Sequence, residues 1–242
     1  MTSRKKGIRA FFWRWGKRFV IAGILLLLVL PAVYFAVFRF VPVPLTSFMV
    51  QGTVSGWLDE KPYRLRHDWV SLDDISPQLQ RAVIASEDQK FTEHFGIDTE
   101  AIERAYLHNQ RGKRIRGGST ISQQLAKNLF LWPGRSYVRK GLEAWFALLM
   151  EALWSKERIL EVYLNSVEFG RGVYGAEAAA QHYFRKPAAR LSVREASLLA
   201  AVLPAPRKRN PARPSAYVQS RAQQIQQQMA RIGPVEREFS AD

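Results

Sequence analysis

Residues 136–165 read SYVRKGLEAWFALLMEALWSKERILEVYLN, and this stretch indicates the fold class. Ser136 is a residue type that caps helices, and apolar side chains follow it at the spacing of one helical face. Ser155 begins a second amphipathic segment in the same way. The stretch therefore predicts two successive helices. The apolar face of the first is wide enough for a buried or membrane-facing helix, and it comprises Leu142, Trp145, Phe146, Leu149 and Leu153.

The rest of the chain beyond residue 76 has the same helical character. Helix starts are predicted at Ser76-Pro77, at Asp98, at Ser119 before Ile121, Leu125 and Leu129, and at the capping box of Ser192 and Glu195. Residues 216–231 predict a final glutamine-rich helix. The segment 48–74 shows no sustained period and is expected to be irregular or short-stranded. Strand-like alternation is nearly absent after residue 76, so a mostly α fold is predicted.

Residues 19–38 read FVIAGILLLLVLPAVYFAVF, an uncharged run of 20 residues. A helix of about 20 apolar residues crosses a bilayer, so a single transmembrane helix is predicted at 19–39. A cleaved signal peptide is the alternative. The apolar core of a signal peptide is usually shorter than this run, and the small-residue cleavage site that would follow it is absent here. Seven cations precede the run: Arg4, Lys5, Lys6, Arg9, Arg14, Lys17 and Arg18. They place residues 1–18 in the cytoplasm as a basic tail, so residues from about 40 onward face outward.

The amino-acid composition limits the partners and metal sites that the protein could have. The net charge of +15 calls for an anionic partner, which could be nucleic acid, phospholipid or a phosphorylated substrate. Nucleic acid is disfavoured because the outward orientation separates the domain from DNA. The chain has no cysteine, and its four histidines lack the HExxH spacing of zinc enzymes. A dedicated all-protein transition-metal site is therefore not expected.

A first group of reactive side chains lies in SEDQKFTEHFG, residues 86–96. If this segment is helical, Glu87, Phe91 and His94 share a face, and Asp88 lies beside them. A carboxylate close to an aromatic ring and an imidazole suits a general base, because partial burial raises its pKa. On spacing alone, a solvated helix surface is favoured, because acidic pairs on helix surfaces are common.

A second group follows within GGSTISQQLAKN and RSYVRKGLE, residues 117–128 and 135–143. Hydroxyls, amides and cations near helix starts can bind a diphosphate, although helix capping and surface solvation would also account for them. A diphosphate leaving group needs cations or a metal ion rather than a carboxylic acid to protonate it. One base and a set of cations therefore suit transfer from a sugar diphosphate better than glycan hydrolysis. The group comprises Ser119, Thr120, Gln123, Gln124, Lys127, Arg135, Arg139, Lys140 and Glu143.

Five motifs, in order and spacing, resemble those of the peptidoglycan glycosyltransferases. They are EDQKFTEHFG, GGSTISQQLAKNLF, RSYVRKGLEAWFALLMEALWSKERILEVYLN, GVYGAEAAAQHYF and LSVREASLLAAVLP, and the resemblance covers about residues 50–205. It implies a lysozyme-like fold with two lobes around a cleft. It also implies polymerisation of lipid II into β-1,4-linked glycan strands, with inversion and release of undecaprenyl diphosphate.

The resemblance assigns a role to each candidate. Glu87 is implied to be the general base and Glu143 the second carboxylate, which orients the donor diphosphate. Binding of the diphosphate and the surrounding sugar is implied for Ser119, Thr120, Gln123, Gln124, Lys127, Arg135, Arg139 and Lys140, while Asp88, Phe91 and His94 shape the site. No tightly bound cofactor is expected, although Mg²⁺ or Mn²⁺ could accompany the diphosphate.

The predicted organisation is a connector at 40–75, a catalytic domain at 76–205 and a basic C-terminal tail at 206–242, with the catalytic domain in the periplasm of a bacterial inner membrane. The bifunctional relatives carry an additional transpeptidase domain, for which this length leaves no room, so another protein is expected to cross-link the strands. Other wall-synthesis or division proteins are further expected partners. Two alternatives stay open, a lysozyme-like lytic enzyme and a non-catalytic membrane scaffold.

Overall fold

A computed structural model describes residues 2–58, 63–110, 112, 117–134 and 136–232, with side chains from residue 13 onward. The chain divides into two compact units, Met1–Val41 and Pro42–Asp242. Most of the described chain is helical, which confirms the predicted fold class.

The first unit is one helical run. It consists of α1 (Thr2–Ile24), a π-helical segment (Leu25–Val29) and α2 (Leu30–Val37). Within it, Trp13–Val37 forms a 25-residue segment with a mean hydropathy of 2.8, long and apolar enough to cross a membrane. This segment begins earlier than the predicted span.

The second unit opens with α3 (Ser47–Leu58), a helix where the sequence predicted irregular or short-stranded structure. The prediction was wrong because part of the buried stripe of α3 is glycine, which carries no apolar signal. Met49, Gly52 and Gly56 are the buried residues. A Cβ at Gly52 would lie 2.7 Å from the hydroxyl of Tyr174, so the close approach of α3 to its neighbours requires glycine there.

Eight further helices are described after α3. They are α4 (Pro77–Glu87), α5 (Thr99–Gln110), α6 (Ile121–Phe130), α7 (Tyr137–Leu153), α8 (Lys156–Ser166), α9 (Ala176–Phe184), α10 (Val193–Val202) and α11 (Ala216–Met229). The predicted caps are confirmed at Ser76, Ser136, Ser155 and the box of Ser192 with Glu195. Helix α6 is capped by Thr120 instead of the predicted Ser119, because Gln123 completes a capping box with Thr120.

A small sheet interrupts the helices. Strands β1 (Arg66–His67), β2 (Glu168–Gly170) and β3 (Val173–Tyr174) pair in the order β1-β3-β2. The first pair is parallel and the second is antiparallel with an irregular register. The sheet packs against α9.

Two helical groups form the core of the second unit. Helices α4, α10 and α11 pack on one another, and α6 packs on α3, α7 and α8. Helix α10 is buried without interruption from Ala196 to Val202, which explains its small and apolar side chains. Helices α4 and α6 belong to different groups, and their ends meet at the candidate site through a hydrogen bond from Ile121 N to Asp88 Oδ2.

Candidate active site

Glu87 is the last residue of α4. The helix ends there because Asp88 adopts φ −160° and ψ 79°, outside the helical region. Residues 89–93 form turns and 94–96 a bend, so the helical face predicted to carry Glu87, Phe91 and His94 does not exist. The carboxyl group of Glu87 therefore stands at a helix end, where tertiary contacts set its surroundings.

The Asp88 carboxylate ties this helix end to α6. It accepts hydrogen bonds from Ile121 N at 2.9 Å and from His94 Nε2 at 3.0 Å. Asp88 is buried, with 6% of its surface exposed. Asp88 and His94 thus fix the position of Glu87 relative to the first turn of α6.

Phe91 is fully buried, and the Lys156 ammonium lies 4.7 Å from its ring centroid. Lys156 also donates to the His94 carbonyl at 2.6 Å and to Glu151 at 2.8 Å. Phe91 therefore supports the wall of the site from inside the protein. Contact of the Phe91 ring with substrate stays a prediction.

Glu87 itself is partly buried and paired with an amide. Gln124 Nε2 donates to Glu87 Oε2 at 2.9 Å, and Ser86 Oγ donates to Oε1 at 3.3 Å. Burial raises the pKa of Glu87, while these hydrogen bonds and the positive charges of Arg221 and Lys127 oppose the rise. A carboxyl group with a raised pKa and one oxygen held by a donor suits a general base.

A second carboxylate, Glu143, lies on α7 among cations. Arg139 Nε is 3.1 Å from its Oε1, and Lys140 Nζ is 3.1 Å from its Oε2. Lys140 also donates to Ser119 Oγ at 2.8 Å. The Arg139 contact is an ion pair without hydrogen-bond alignment, which leaves Glu143 Oε1 buried and able to accept another donor.

Lys127 is influenced by the charges of both carboxylates. Burial lowers the pKa of Lys127. The negative charges of Glu143 and Glu87 oppose this lowering, and the positive charges of Arg139 and Lys140 add to it. These interactions place the ammonium group within electrostatic reach of Glu87 and of the Glu143 cluster. The same group lies 5.6 Å from the ring centroid of Phe48 on α3.

A cavity of about 870 Å³ opens beside Gln124 and Lys127. Much of the lining from α3 is apolar, and the lining also includes an ion pair in which Arg207 Nε lies 3.0 Å from Glu168 Oε1. Burial raises the pKa of Glu168, against the attraction of Arg207. A cavity lined by both apolar side chains and cations suits an amphiphilic anion. The lining includes Phe48, Val50, Val54, Leu58, Gln124, Lys127, Asn128, Glu168, Tyr174, Pro204, Arg207 and Lys208.

Thr120, which was also predicted at the site, is buried and makes hydrogen bonds within the protein. Thr120 Oγ1 donates to the carbonyl of Gly96 at 2.6 Å and accepts from Gln123 N. Gly96 adopts φ +73°, a conformation that favours glycine, so this carbonyl can turn toward α6. Arg135 lies outside the described residues. Substrate contacts of the predicted residues stay predictions.

Two groups near Glu87 were not singled out from the sequence. Tyr163 on α8 donates to Gln124 Oε1 at 2.9 Å, and Arg221 on α11 donates to the Ser86 carbonyl at 3.4 Å. The partners in these two bonds are 39 and 135 residues apart in the sequence, so no local pattern indicates either bond. For Arg221, a basic residue in an otherwise glutamine-rich helix was the available signal.

Within the described ranges, no group of three or more His, Asp or Glu side chains is placed to hold a metal ion. Mg²⁺ at a diphosphate commonly takes one or two carboxylates and completes its shell with phosphate oxygens and water. Glu143 fits that requirement, since its Oε1 has no hydrogen-bond donor.

The sequence model of a family described as "Transglycosylase" matches residues 52–230. The chain belongs to the transglycosylase family. The match extends past residue 205, where the sequence resemblance ended, and takes in α11 with Arg221.

Curated relatives in the transglycosylase family carry the name biosynthetic peptidoglycan transglycosylase. The protein of Pseudomonas syringae pv. syringae is 56% identical over 226 residues, which cover 93% of this chain and 90% of the relative. That of Pseudomonas syringae pv. tomato is 59% identical over 197 residues, covering 81% and 84%. That of Pseudomonas fluorescens is 54% identical over 226 residues, covering 93% and 89%.

Proposed function

We propose that this protein is a peptidoglycan glycosyltransferase that polymerises lipid II into β-1,4-linked glycan strands. The observation that carries the proposal is the placement of Glu87, which accepts a hydrogen bond from Gln124 of α6. The same helix carries Lys127 and packs on α7, which holds the ion-paired cluster of Glu143, Arg139 and Lys140. One partly buried carboxyl group has the position of a base, and fixed cations lie within reach of it. Membership of the transglycosylase family and the names of the relatives support the same reaction.

In the proposed reaction, Glu87 accepts the proton of the C4 hydroxyl of the acceptor lipid II. The acceptor oxygen attacks C1 of the terminal N-acetylmuramic acid of the growing chain. The bond from C1 to the diphosphate oxygen breaks as the new bond forms, which inverts the α linkage to β. Undecaprenyl diphosphate leaves with the bonding electrons, and Lys127, Lys140 and Arg139 neutralise its charge. No acid has to protonate this leaving group.

A divalent cation is a further part of the proposal. Glu143 would hold it together with oxygens of the donor diphosphate, and the cation would supply additional neutralisation of charge. Arg139 and Lys140 already occupy the surroundings of Glu143, so the protein's own cations neutralise charge at the same place.

The proposed setting is the outer face of a bacterial inner membrane. The apolar segment Trp13–Val37 supports a single-pass anchor. The cations before it support a cytoplasmic N-terminus and a periplasmic second unit. Other wall-synthesis proteins, which would cross-link the strands, are the proposed partners.

The test is incubation of the purified full-length protein with lipid II in detergent. The wild type is expected to produce glycan polymer and undecaprenyl diphosphate, and Glu87→Gln is expected to lose more than about 100-fold in rate. Near-normal polymerisation by Glu87→Gln would remove that residue from the mechanism. Cleavage of preformed glycan without polymerisation would instead identify a lytic enzyme.

A further inference from the structure

The side-chain amide of Gln124 lies between two oxygen groups. Its Nε2 donates to Glu87 Oε2 at 2.9 Å, and its Oε1 accepts from the Tyr163 hydroxyl at 2.9 Å. The three residues come from α4, α6 and α8. An amide donates at one end and accepts at the other, so its neighbours decide which end faces the carboxyl group.

The direction of this amide decides which form of Glu87 is favoured. With the NH₂ group toward the carboxyl group, as observed, the ionised form is stabilised. A reversed amide would present its carbonyl oxygen, to which only a protonated Glu87 could donate. A reversed Gln124 would therefore favour the form of Glu87 that cannot act as a base.

Tyr163 has the properties needed to prevent that reversal. The residue is fully buried, and its hydroxyl bonds to Gln124 Oε1. Burial, with the charges of Glu87 and Asp88, raises the pKa of Tyr163 well above its usual value, so the hydroxyl keeps its proton. A donor held against the acceptor end keeps the amide in the observed direction.

We propose that Tyr163 is a positioning residue for glycosyl transfer, because its bond to Gln124 Oε1 keeps the Gln124 NH₂ group turned toward Glu87 and the base ionised. The inference rests on the proposed role of Glu87. It gives Tyr163 no contact with substrate.

Other groups also act on Glu87. Lys127 on α6 and Arg221 on α11 favour its ionised form, and Ser86 donates to Oε1. Asp88 follows it in the chain and is engaged by Ile121 N and His94. These groups remain when the tyrosine hydroxyl is removed. The expected effect is therefore a shift in pH dependence and not a complete loss of activity.

The experiment compares the full-length wild type with Tyr163→Phe in lipid II polymerisation, measured as kcat/KM against pH. In the pH profile, the acid limb is the range in which the rate falls as the base becomes protonated. For the variant this limb is expected to move to a pH about one unit higher, which is a tenfold loss of rate on the acid side. The rate at high pH and the KM for lipid II should stay close to wild type. A merely structural role would lower the rate at all pH values and leave the limb in place.

Tyr183→Phe is the matched control. Its hydroxyl donates to the Phe169 carbonyl at 3.3 Å, away from Glu87. This variant should keep the wild-type limb. An equal shift in Tyr183→Phe would overturn the proposal, since loss of any partly buried hydroxyl would then have the same effect.

A double variant tests whether Tyr163 acts through Gln124. Gln124→Met lacks both ends of the amide, so it should shift the limb by itself, and adding Tyr163→Phe should shift it no further. An additional shift of full size in the double variant would overturn the proposal. So would an unchanged limb in folded Tyr163→Phe.

Should Tyr163→Phe fail to fold, Gln124→Glu is measured with the phenol kept. This change places an acceptor oxygen against Glu87, the arrangement that Tyr163 is proposed to prevent, and should raise the limb by more than about one unit. A wild-type limb in Gln124→Glu would overturn the inference. Failure of the wild type to polymerise lipid II overturns the proposed function itself, whereas a normal wild type with an insensitive Tyr163→Phe overturns the inference alone.

Discussion

At Glu87, burial and hydrogen bonding act on one carboxyl group in opposite directions. Burial raises its pKa, whereas the Gln124 and Ser86 donors and the charges of Arg221 and Lys127 lower it. The net result is a rise, so the folded protein holds this proton more tightly than an unfolded chain. Stability therefore falls as the pH increases from the unfolded pKa to the folded pKa, and remains lower above it.

Glu87→Gln should consequently stabilise the protein while removing activity. At neutral pH the melting temperature should rise by about 2–4 °C for each kcal/mol gained, because glutamine has no buried charge. Near pH 4, about the unfolded pKa of a glutamate, the advantage should disappear. Thermal unfolding at several pH values measures this. A less stable variant at neutral pH would mean that attraction by Arg221 and Lys127 outweighs burial.

Lys127 is half-buried between two carboxylates, and its ammonium group belongs to the proposed leaving-group site. Lys127→Met keeps the length of the side chain and removes the charge, so the polymerisation rate should fall by about 100-fold or more. Lys186→Met is the control, since Lys186 pairs with Glu195 at 2.8 Å outside the site. Equal rates for wild type and Lys127→Met would show that this charge does not assist departure of the diphosphate.

At the scale of elements, α6 contributes to both parts of the site, the surroundings of Glu87 and the positively charged region near Glu143. Its N-terminal end receives Asp88, its middle carries Gln124, and its C-terminal half carries Lys127. A helix that carries both the base partner and a cation must begin at a fixed place. Thr120 fixes it through the capping box and through its bond to the Gly96 carbonyl.

Thr120→Ala should therefore destabilise the protein more than removal of an ordinary cap. It loses the cap and leaves a buried carbonyl without its side-chain donor, a cost of about 2–3 kcal/mol. Ser192→Ala removes an exposed cap of the same type at α10 and should cost about 1 kcal/mol. Denaturant unfolding distinguishes them. Equal costs would show that the Gly96 bond adds nothing to stability.

At the scale of the whole molecule, orientation across the membrane decides whether the second unit can meet an externally exposed lipid substrate. The chain has no cysteine, so one introduced residue is its only thiol. Glu93 has an exposed side chain in the second unit. We expect Glu93→Cys in intact cells to react with a small, charged, membrane-impermeant maleimide, and Ser3→Cys to react only after lysis. The reverse pattern would contradict the proposed topology.

Local sequence patterns predicted many of the helices. The helix caps depend on contacts between residues two or three positions apart, so the local sequence predicts them. They are Ser76, Ser136, Ser155 and Ser192. The shift of the α6 cap from Ser119 to Thr120 shows the limit. Neighbouring hydroxyls compete, and the partner of Thr120 at Gly96 lies 24 residues away.

The candidate site could be predicted in its components but not in its arrangement. Motif resemblance named Glu87, Lys127 and Glu143, while the end of α4 at Glu87 came from contacts of Asp88 with Ile121 N, 33 residues further along. The helix α3 was missed because glycines form part of its buried face. Tyr163 was missed because its partner is on another helix.

The sequence by itself determined the mostly helical class, the apolar N-terminal segment and the residue types available for acid–base and charge chemistry, since these depend on composition and short-range order. Only the tertiary structure decided which amide end faces the Glu87 carboxyl group, where α4 ends and how Lys127 comes within reach of two carboxylates. The reason is physical: pKa values and hydrogen-bond directions depend on groups brought together from distant parts of the chain, and packing alone selects them.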